Sequence, residues 1–460
     1  MVAKRIVIVG GGISGLAAAH RLIELGFPRT QITLVEASGR LGGTLQTHHR
    51  DGFLLERGPD SFISEKPEAV SLAKRLGLES RLIETNEQYR RSFIVRNGRL
   101  RPVPEGFQLL APSRVWPFIT TDVFSFIGKL RMAADLVLPR ENGKEDESLA
   151  SFVRRRLGQE ALERMAQPMV GGIYTADPET LSLRATLPRF LDMEQDHRSL
   201  ILAMMRQRPK AGTSGARYSL FLSFDRGMEV LVDALAGVVP NVRLKTRVQE
   251  LSFDSRTWRI KADSGESFEA DVVCLAVPAY TAARLLENVS PRLASQLKAI
   301  KYASTATINF AYQRAAIKHP LNGFGFVVPF IEKRSLIACT FSNVKFNHRA
   351  PEDHVLLRAF AGGALQPEMF VRDDLESLIE ADLRELLNID RSPLFTEVAK
   401  WERSMPQYEV GHLERVSEIE NGIRGLTGLA LAGNAYRGAG IPDCIRSGEA
   451  AAEILFNYEA

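Results

Sequence analysis

The sequence predicts an α/β fold: a Rossmann-like domain with an inserted mixed-sheet domain and a mainly helical subdomain. Three observations carry the prediction. Arg5-Ile-Val-Ile-Val9 reads as a fully buried strand, followed by Gly10-Gly11-Gly12-Ile13-Ser14-Gly15 and a helical apolar pattern from Leu16 to Leu25. A second strand, Gln31-Ile-Thr-Leu-Val-Glu36, ends in an acid 21 residues after Gly15. Near the other end, Gly428-Leu-Ala-Leu-Ala-Gly433 repeats the buried-strand pattern. A glycine-rich turn and a helix with a small face (Gly448, Ala451, Ala452) follow it.

The first two observations define a dinucleotide site. Gly10 permits the tight turn, Gly12 lets the backbone approach a pyrophosphate, and Gly15 lets the helix pack on the strand. The helix N-terminus, at Ile13 and Ser14, offers free N–H groups and partial positive charge. Glu36 is placed to accept the ribose hydroxyls of an adenosine. Beyond it, Ala37-Ser-Gly-Arg40-Leu-Gly42-Gly43-Thr44 forms a second arginine–glycine loop, for which a nicotinamide site has no need. The larger, extended FAD does need one. The arrangement resembles the flavoprotein superfamily of amine oxidases and protoporphyrinogen oxidases, which carry Glu-x-x-x-Arg-x-Gly-Gly here. The resemblance implies FAD, held non-covalently because no His or Cys stands at a recognisable tethering position.

A chain of 460 residues, 45% hydrophobic and 25% charged, can bury a large core and divides into two or more domains. Its net charge of +4 and pI near 8.9 are those of an ordinary soluble surface and give no sign of nucleic-acid binding. Cys274, Cys339 and Cys444 are odd in number and lack metal spacing, and they read as reduced thiols in a cytoplasmic setting. Eight scattered histidines make no chelating pair, so no metal site is expected. Lys4-Arg5 and the apolar run after it mimic a secretory signal, but the glycine fingerprint accounts for them. No uncharged apolar run reaches 18 residues, so no transmembrane helix is expected.

Along the chain, Asp51 to Glu56 reads as a hairpin strand leading to the turn Gly58-Pro59-Asp60-Ser61. The FAD-binding domain is assigned residues 1–88, 215–290 and 405–460. A helical domain facing substrate or membrane takes 89–214, opening with a hairpin on Asn97-Gly98. Within it, Phe107 to Pro139 is aromatic and aliphatic, broken by Pro112 and Pro117 and flanked by Lys129, Arg131 and Arg140. Such a stretch suits an interfacial patch on an anionic membrane surface, or equally the lining of a cavity. Ser148 caps a helix to Leu157, with Arg154-Arg155-Arg156 as its solvated face. The glycines of Pro168 to Pro178 interrupt two helical patterns, the second running from Leu183 to Met193. Residues 291–404 form the substrate domain, with strands at Ala306–Tyr312, Gly325–Val328, Leu336–Phe341 and His354–Phe360 roofing a cavity. Asp443 is expected to cap the last helix.

With both ends read, the chain is similar over nearly its whole length to the oxygen-dependent protoporphyrinogen oxidase family, which includes the bacterial coproporphyrinogen III oxidases. The narrower motifs are Gly172-Ile-Tyr-Thr-Ala-Asp-Pro178, Trp401 with Pro406-Gln-Tyr408, and Leu431 through Gly448. The resemblance implies oxidation of a porphyrinogen to the porphyrin in haem biosynthesis, with FAD and oxygen. It gives FAD the fingerprint glycines, Glu36, Thr44, Gly58 to Ser61, Val248, Asn434, Ala439, Gly440 and Ile441. It gives the macrocycle Gly172, Val327, Thr340 and Phe360, and it names no catalytic protein residue, since the flavin does the chemistry. Many protoporphyrinogen-specific members have an arginine directly before the aromatic residue of the Phe93 strand. Here Ser92 stands there, with Arg91 one step earlier as the candidate anchor for a propionate. One step reverses the face of a strand. An amine oxidase on the same fold, gripping its amine between Trp401 and Tyr436, is the main alternative. A flavin-bound scaffold without turnover is a more distant one. The sequence leaves the oligomeric state, a homodimer included, open.

Overall fold

The computed structural model describes residues 4–141, 145–206, 221–254 and 256–458. The boundary assigned at 214/215 lies outside them.

Five parallel strands form the sheet that the glycine fingerprint implies. Their order is Asn241–Arg243, Ile32–Val35, Ile6–Val9, Val272–Leu275, Leu429–Leu431. All four residues of Ile6–Val9 and of Val272–Leu275 are buried, as strands covered on both faces must be. The helix Ile13–Glu24 covers one face and crosses the last helix, Ile441–Phe456. A Cβ at Gly448 would overlap the Ser14 carbonyl, so the small face read from sequence is the contact itself. Asp443 does not cap this helix. The helix begins two residues earlier with Gly440 as N-cap, and Asp443 bonds Lys66 at 2.6 Å and pairs with Arg446. Three antiparallel strands, Val248–Phe253, Trp258–Ala262 and Ser267–Ala270, lie beside this unit.

A seven-stranded mixed sheet makes the second layer. Its order is Phe395–Pro406, Tyr302–Gln313, His354–Gly362, Ala338–Phe341, Gly325–Val327, Phe93–Arg96, Arg99–Pro102. The Asn97-Gly98 hairpin is as expected, but it belongs to this sheet. Phe93–Arg96 runs parallel to Gly325–Val327, a pairing across more than 200 residues that no local pattern announces. The expected boundary at 290/291 cuts through a packed region. Leu285, Leu293 and Leu297, on the helices Ala279–Leu286 and Pro291–Lys298, share a core cluster with Val7 and Val273 of the parallel sheet.

The helical region packs Leu149, Phe152, Val153, Phe107, Phe118 and Phe124 into its own core. Ser148 caps Leu149–Arg156 as expected, its hydroxyl accepting from the Ser151 N–H. The solvated-face reading of Arg154–Arg156 fails at Arg156, which is 1% exposed. Its guanidinium bonds Asp135 and the Pro139 and Arg198 carbonyls, because three chain segments converge on it. The glycines near 171 do not interrupt a helix either. A π-helical turn, Leu162–Ala166, leads into the helix Gln167–Tyr174, which carries Gly171 and Gly172 and ends at Thr175 in the left-handed region. The expected helix from Leu183 to Met193 is broken before Pro188 into Leu183–Thr186 and Arg189–His197.

Candidate functional site

The fingerprint turn is shaped by close backbone approach. Gly10 has φ +110°, and a Cβ at Gly15 would overlap the Gly10 carbonyl. Gly12 differs: a Cβ there would meet nothing within 4 Å. The space above Gly12 is therefore kept clear by the fold, as a pyrophosphate cradle requires. The Glu36 carboxylate is fixed by the N–H groups of Gly11 and Ser38, both at 2.7 Å, with lone pairs left over for ribose hydroxyls. The Glu36 and Ser38 carbonyls accept from the Thr246 and Lys245 N–H groups, which brings the start of the Val248 strand beside this end. Ala37 is exposed next to Glu36. Arg40 turns back on its own loop, donating to the Gly43 and Leu45 carbonyls and to Glu229, so its role in the structure is to brace Gly43 and Thr44.

From Gly12 the cradle continues through Gly43, packed near the Gly12 backbone, to Thr44 and then Gly58. A Cβ at Gly58 would overlap the Thr44 carbonyl, so only glycine fits. Side chains of the mixed sheet hold three successive carbonyls of the segment Glu56–Ser61. Asn309 donates to the Glu56 carbonyl at 3.3 Å. Thr307 and Trp401 donate to that of Arg57 at 2.5 and 2.8 Å, and Arg358 donates to that of Gly58. Asp60 meets the Lys345 ammonium at 2.9 and 3.1 Å, with Arg358 at 3.7 Å and the Ser61 hydroxyl at 2.7 Å. Burial alone would raise the Asp60 pKa, but Lys345 and Arg358 outweigh it and hold the carboxyl well below its usual range. Glu56 goes the other way. Burial pushes it up to about 7 despite hydrogen bonds from the Met228 N–H and the Thr47 hydroxyl.

The loop before the last helix is held from the strand and helix that precede it. The Tyr408 hydroxyl donates to the Asn434 carbonyl at 2.5 Å and accepts from the Gly438 N–H at 2.9 Å. His412 stacks on the Tyr408 ring at 4.1 Å and reaches the Tyr436 carbonyl. Asn434 bonds the Ser404 carbonyl, which ties this loop to the strand bearing Trp401. Ala439, Gly440 and Ile441 then present the N-terminus of a 16-residue helix.

The mixed sheet presents two faces. Phe93, Phe326, Cys339, Phe341, Leu357 and Ala359 pack into its own core. By alternation the opposite face carries one row made of Ile94, Val327, Ala338, Phe360 and Thr307, and another made of Gly325, Thr340, Arg358 and Asn309. The structure thus brings Val327, Thr340 and Phe360 together on the face that holds the Gly58 loop. Gly172 approaches this face, its Cβ direction pointing to Val327 at 4.0 Å. Arg91 does not join them. It is exposed and lines a groove of about 570 Å³ with Glu87, Glu105 and Asp122. Ser92, by parity, points to the shared face and is 4% exposed. Arg154, Arg184 and Arg334, three more arginines of the helical and substrate domains, are paired with Glu179, Glu414 and Asp382.

Sequence reasoning missed Arg358, Lys345 and Thr307. For Arg358 a signal existed, since it stands two residues from Phe360 in a strand and so shares its face.

A glycine-rich turn of the dinucleotide-binding type, joined to a sheet face, is the class of site the geometry suits. The model of the family "Flavin containing amine oxidoreductase" matches residues 13–455, and the chain belongs to that family. Within it, the chain is 36% identical to the coproporphyrinogen III oxidase of Bacillus subtilis (strain 168), over 99% of this chain and 98% of that one. It is 28% identical to protoporphyrinogen oxidase 2 of Arabidopsis thaliana, over 99% and 94%. Among solved structures, a putative protoporphyrinogen oxidase from Exiguobacterium sp. 255-15 superposes with a TM-score of 0.88 at 33% identity, covering 99% of both chains.

Proposed function

We propose that this protein holds FAD non-covalently and oxidises a porphyrinogen to the porphyrin in haem biosynthesis, with oxygen as acceptor. Coproporphyrinogen III is placed ahead of protoporphyrinogen IX, because relatives at 36% identity bear the former's name. The observation that carries the reading is the sheet face described above. Val327 and Phe360 lie in an apolar row with Gly172 opposite, beside the loop that continues the dinucleotide cradle. FAD supplies the hydride acceptor, and imine–enamine tautomerism within the tetrapyrrole relays the remaining hydrogens. The protein's part is to position a flat ring, exclude water and admit oxygen. Glu36, the Gly12 backbone, Gly58 to Ser61 and Asn434 to Ile441 would hold the cofactor.

An amine oxidase needs an aromatic pair at the reacting centre. Trp401 turns its indole N–H to the Arg57 carbonyl, while Tyr436 lies in the core cluster of the parallel sheet, so the two do not form a grip. The deciding experiment is anaerobic bleaching of the flavin with coproporphyrinogen III and protoporphyrinogen IX in parallel, followed by peroxide release on admitting oxygen. Bleaching by polyamines alone would refute the reading.

We also propose that the enzyme rests on a membrane surface. No helix among the described residues is long and apolar enough to cross one. The helices Val115–Thr120 and Phe126–Ala133 expose Trp116, Phe126 and Ile127 at 74–77%, and Val137 beyond them is 75% exposed. Phe107, Phe118 and Phe124 from the same stretch are buried, so core and patch divide it. The flanking cations each donate to backbone carbonyls of the helical region. Lys129 bonds the Ile119 and Thr121 carbonyls, Arg131 those of residues 154–156, and Arg140 that of Gln195. Attachment would therefore rest on apolar insertion more than on anionic lipid.

A further inference from the structure

The region behind the Gly58–Ser61 loop carries an excess of buried positive charge. Lys345, Arg349 and Arg358 are 8%, 2% and 4% exposed. Asp60 is the acid paired with Lys345 and Arg358, while Glu56 turns its carboxyl to the Met228 N–H and the Thr47 hydroxyl. Arg349 bonds the Ser223 hydroxyl and the Phe224 and Asp225 carbonyls. Arg358 donates to the Gly58 carbonyl and lies 4.6 Å from the centre of the Phe360 ring, and its Nε has no hydrogen-bond partner among the described residues. So buried a cation with so few partners is costly to the fold alone.

The same contacts orient the loop. The Arg57 and Asp60 carbonyls are held by Thr307 with Trp401 and by Ser223. In a trans peptide the next N–H points the opposite way. The N–H groups of Gly58 and Ser61 therefore face away from these donors, and neither bonds an acceptor among the described residues.

We infer that Arg358 is a positioning residue for the flavin, fixing the Gly58 carbonyl and placing, with Lys345, a buried positive charge that favours the reduced over the oxidised ring. The inference rests on the proposed FAD site and deepens it. When a substrate C–H bond breaks, the hydride carries two electrons and one proton to the ring, which gains one negative charge. The substrate cation left behind releases an N–H proton, and oxygen later takes the two electrons with that proton and the one on the ring, leaving as hydrogen peroxide. A cation behind the loop stabilises the charge gained in the first step, and the low-dielectric interior magnifies the effect.

The test compares the FAD-loaded wild type with Arg358→Met, Arg358→Lys and Lys345→Met. The two-electron midpoint potential of the bound flavin is read by anaerobic titration against a reference dye, and FAD affinity by reconstitution of the apoprotein. Arg358→Met is expected to shift the reduction equilibrium about tenfold toward oxidised flavin, roughly 30 mV for a two-electron couple. Arg358→Lys should restore most of that shift. Should Arg358→Met fail to fold or to hold FAD, Lys345→Met gives the same reading through the second cation. An unchanged potential in whichever methionine variant retains FAD overturns the inference. Failure of the underlying reading looks different: the wild type itself would bind no FAD, or would bind it and not bleach with either porphyrinogen.

Discussion

Replacing Asp60 by asparagine removes the negative partner from a buried cluster and leaves Lys345 and Arg358 facing a neutral amide. Lys345 is 8% exposed and has three contacts at 2.9–3.1 Å, two to Asp60 and one to Ser61. Removing one member of a buried pair costs about 3–5 kcal/mol, since the remaining charge stays desolvated. Lys345→Met should cost less, about 1–3 kcal/mol, because Asp60 keeps the Ser61 hydroxyl and Arg358. The double variant should then fall short of the sum of the singles by about 2 kcal/mol, as expected for groups in contact. Urea unfolding of the apoprotein, with linear extrapolation, measures all four corners of the cycle. The acid limb gives a second reading. The Asp60 pKa is depressed in the fold, so its contribution is present above the unfolded value of about 3.9 and is lost as pH falls through and below it. Asp60→Asn should lack that loss. Single-variant costs below about 1 kcal/mol, or strict additivity, would refute the account of the cluster as an ion pair insulated from water.

Gly12→Val should leave the apoprotein's thermal midpoint nearly unchanged, since the added carbons enter open space, yet abolish the yellow FAD absorbance; stoichiometric FAD in that variant would sink the cradle assignment. Glu56 has a folded pKa near 7 against an unfolded value of about 4.3, so its protonated form stabilises the fold at low pH, and roughly 3 kcal/mol is lost as pH rises through 7. Denaturation of Glu56→Gln between pH 5 and 8 should show that slope removed. Arg91→Ala should leave KM for coproporphyrinogen III within about twofold, whereas Ser92→Arg, which buries a guanidinium, should destabilise the fold by about 3 kcal/mol or more; a large KM increase in Arg91→Ala would restore it as the propionate anchor. Phe126→Asp with Ile127→Asp should abolish flotation with liposomes, and wild-type flotation should resist added salt; wild-type binding that collapses at high salt would instead point to the cations bonded to backbone carbonyls.

The parts of the molecule that were legible in its sequence are those decided by neighbours along the chain. Strand, turn and helix at the fingerprint follow from β-branched residues, glycines and a 3.6-residue period within 20 positions, and all three stand where expected. So do the Asn97-Gly98 hairpin and the Ser148 cap. What was hidden depends on distant partners. The hairpin's place in the mixed sheet is set by Gly325–Val327, and the burial of Arg156 by Asp135 and two carbonyls from other segments. At the site, Gly58 was visible as a turn, but nothing local to it foretells Thr307, Arg358 and Trp401, which come from three different strands. Asp443 shows a third limit. It is a good capping residue by type, yet its carboxyl is engaged by Lys66 from another helix-flanking segment, and the cap falls to Gly440.

The cradle that would hold the flavin is assembled from residues 10–61 and from the Asn434–Ile441 loop, with 372 residues of chain between Ser61 and Asn434. A growing polypeptide therefore carries half a binding site for most of its synthesis, and its Val272–Leu275 strand waits 153 residues for the neighbour Leu429–Leu431. Until that neighbour arrives, the parallel sheet has an open hydrogen-bonding edge of buried-type residues, a surface that invites pairing with other chains. Flavin capture at this cradle and closure of the sheet edge would both wait for the same late segment, so uptake of flavin would report that the edge has been sealed. A ribosome stalled before Leu429 would release a product that is both colourless and adhesive, and the cell could sort it from the mature protein on either property.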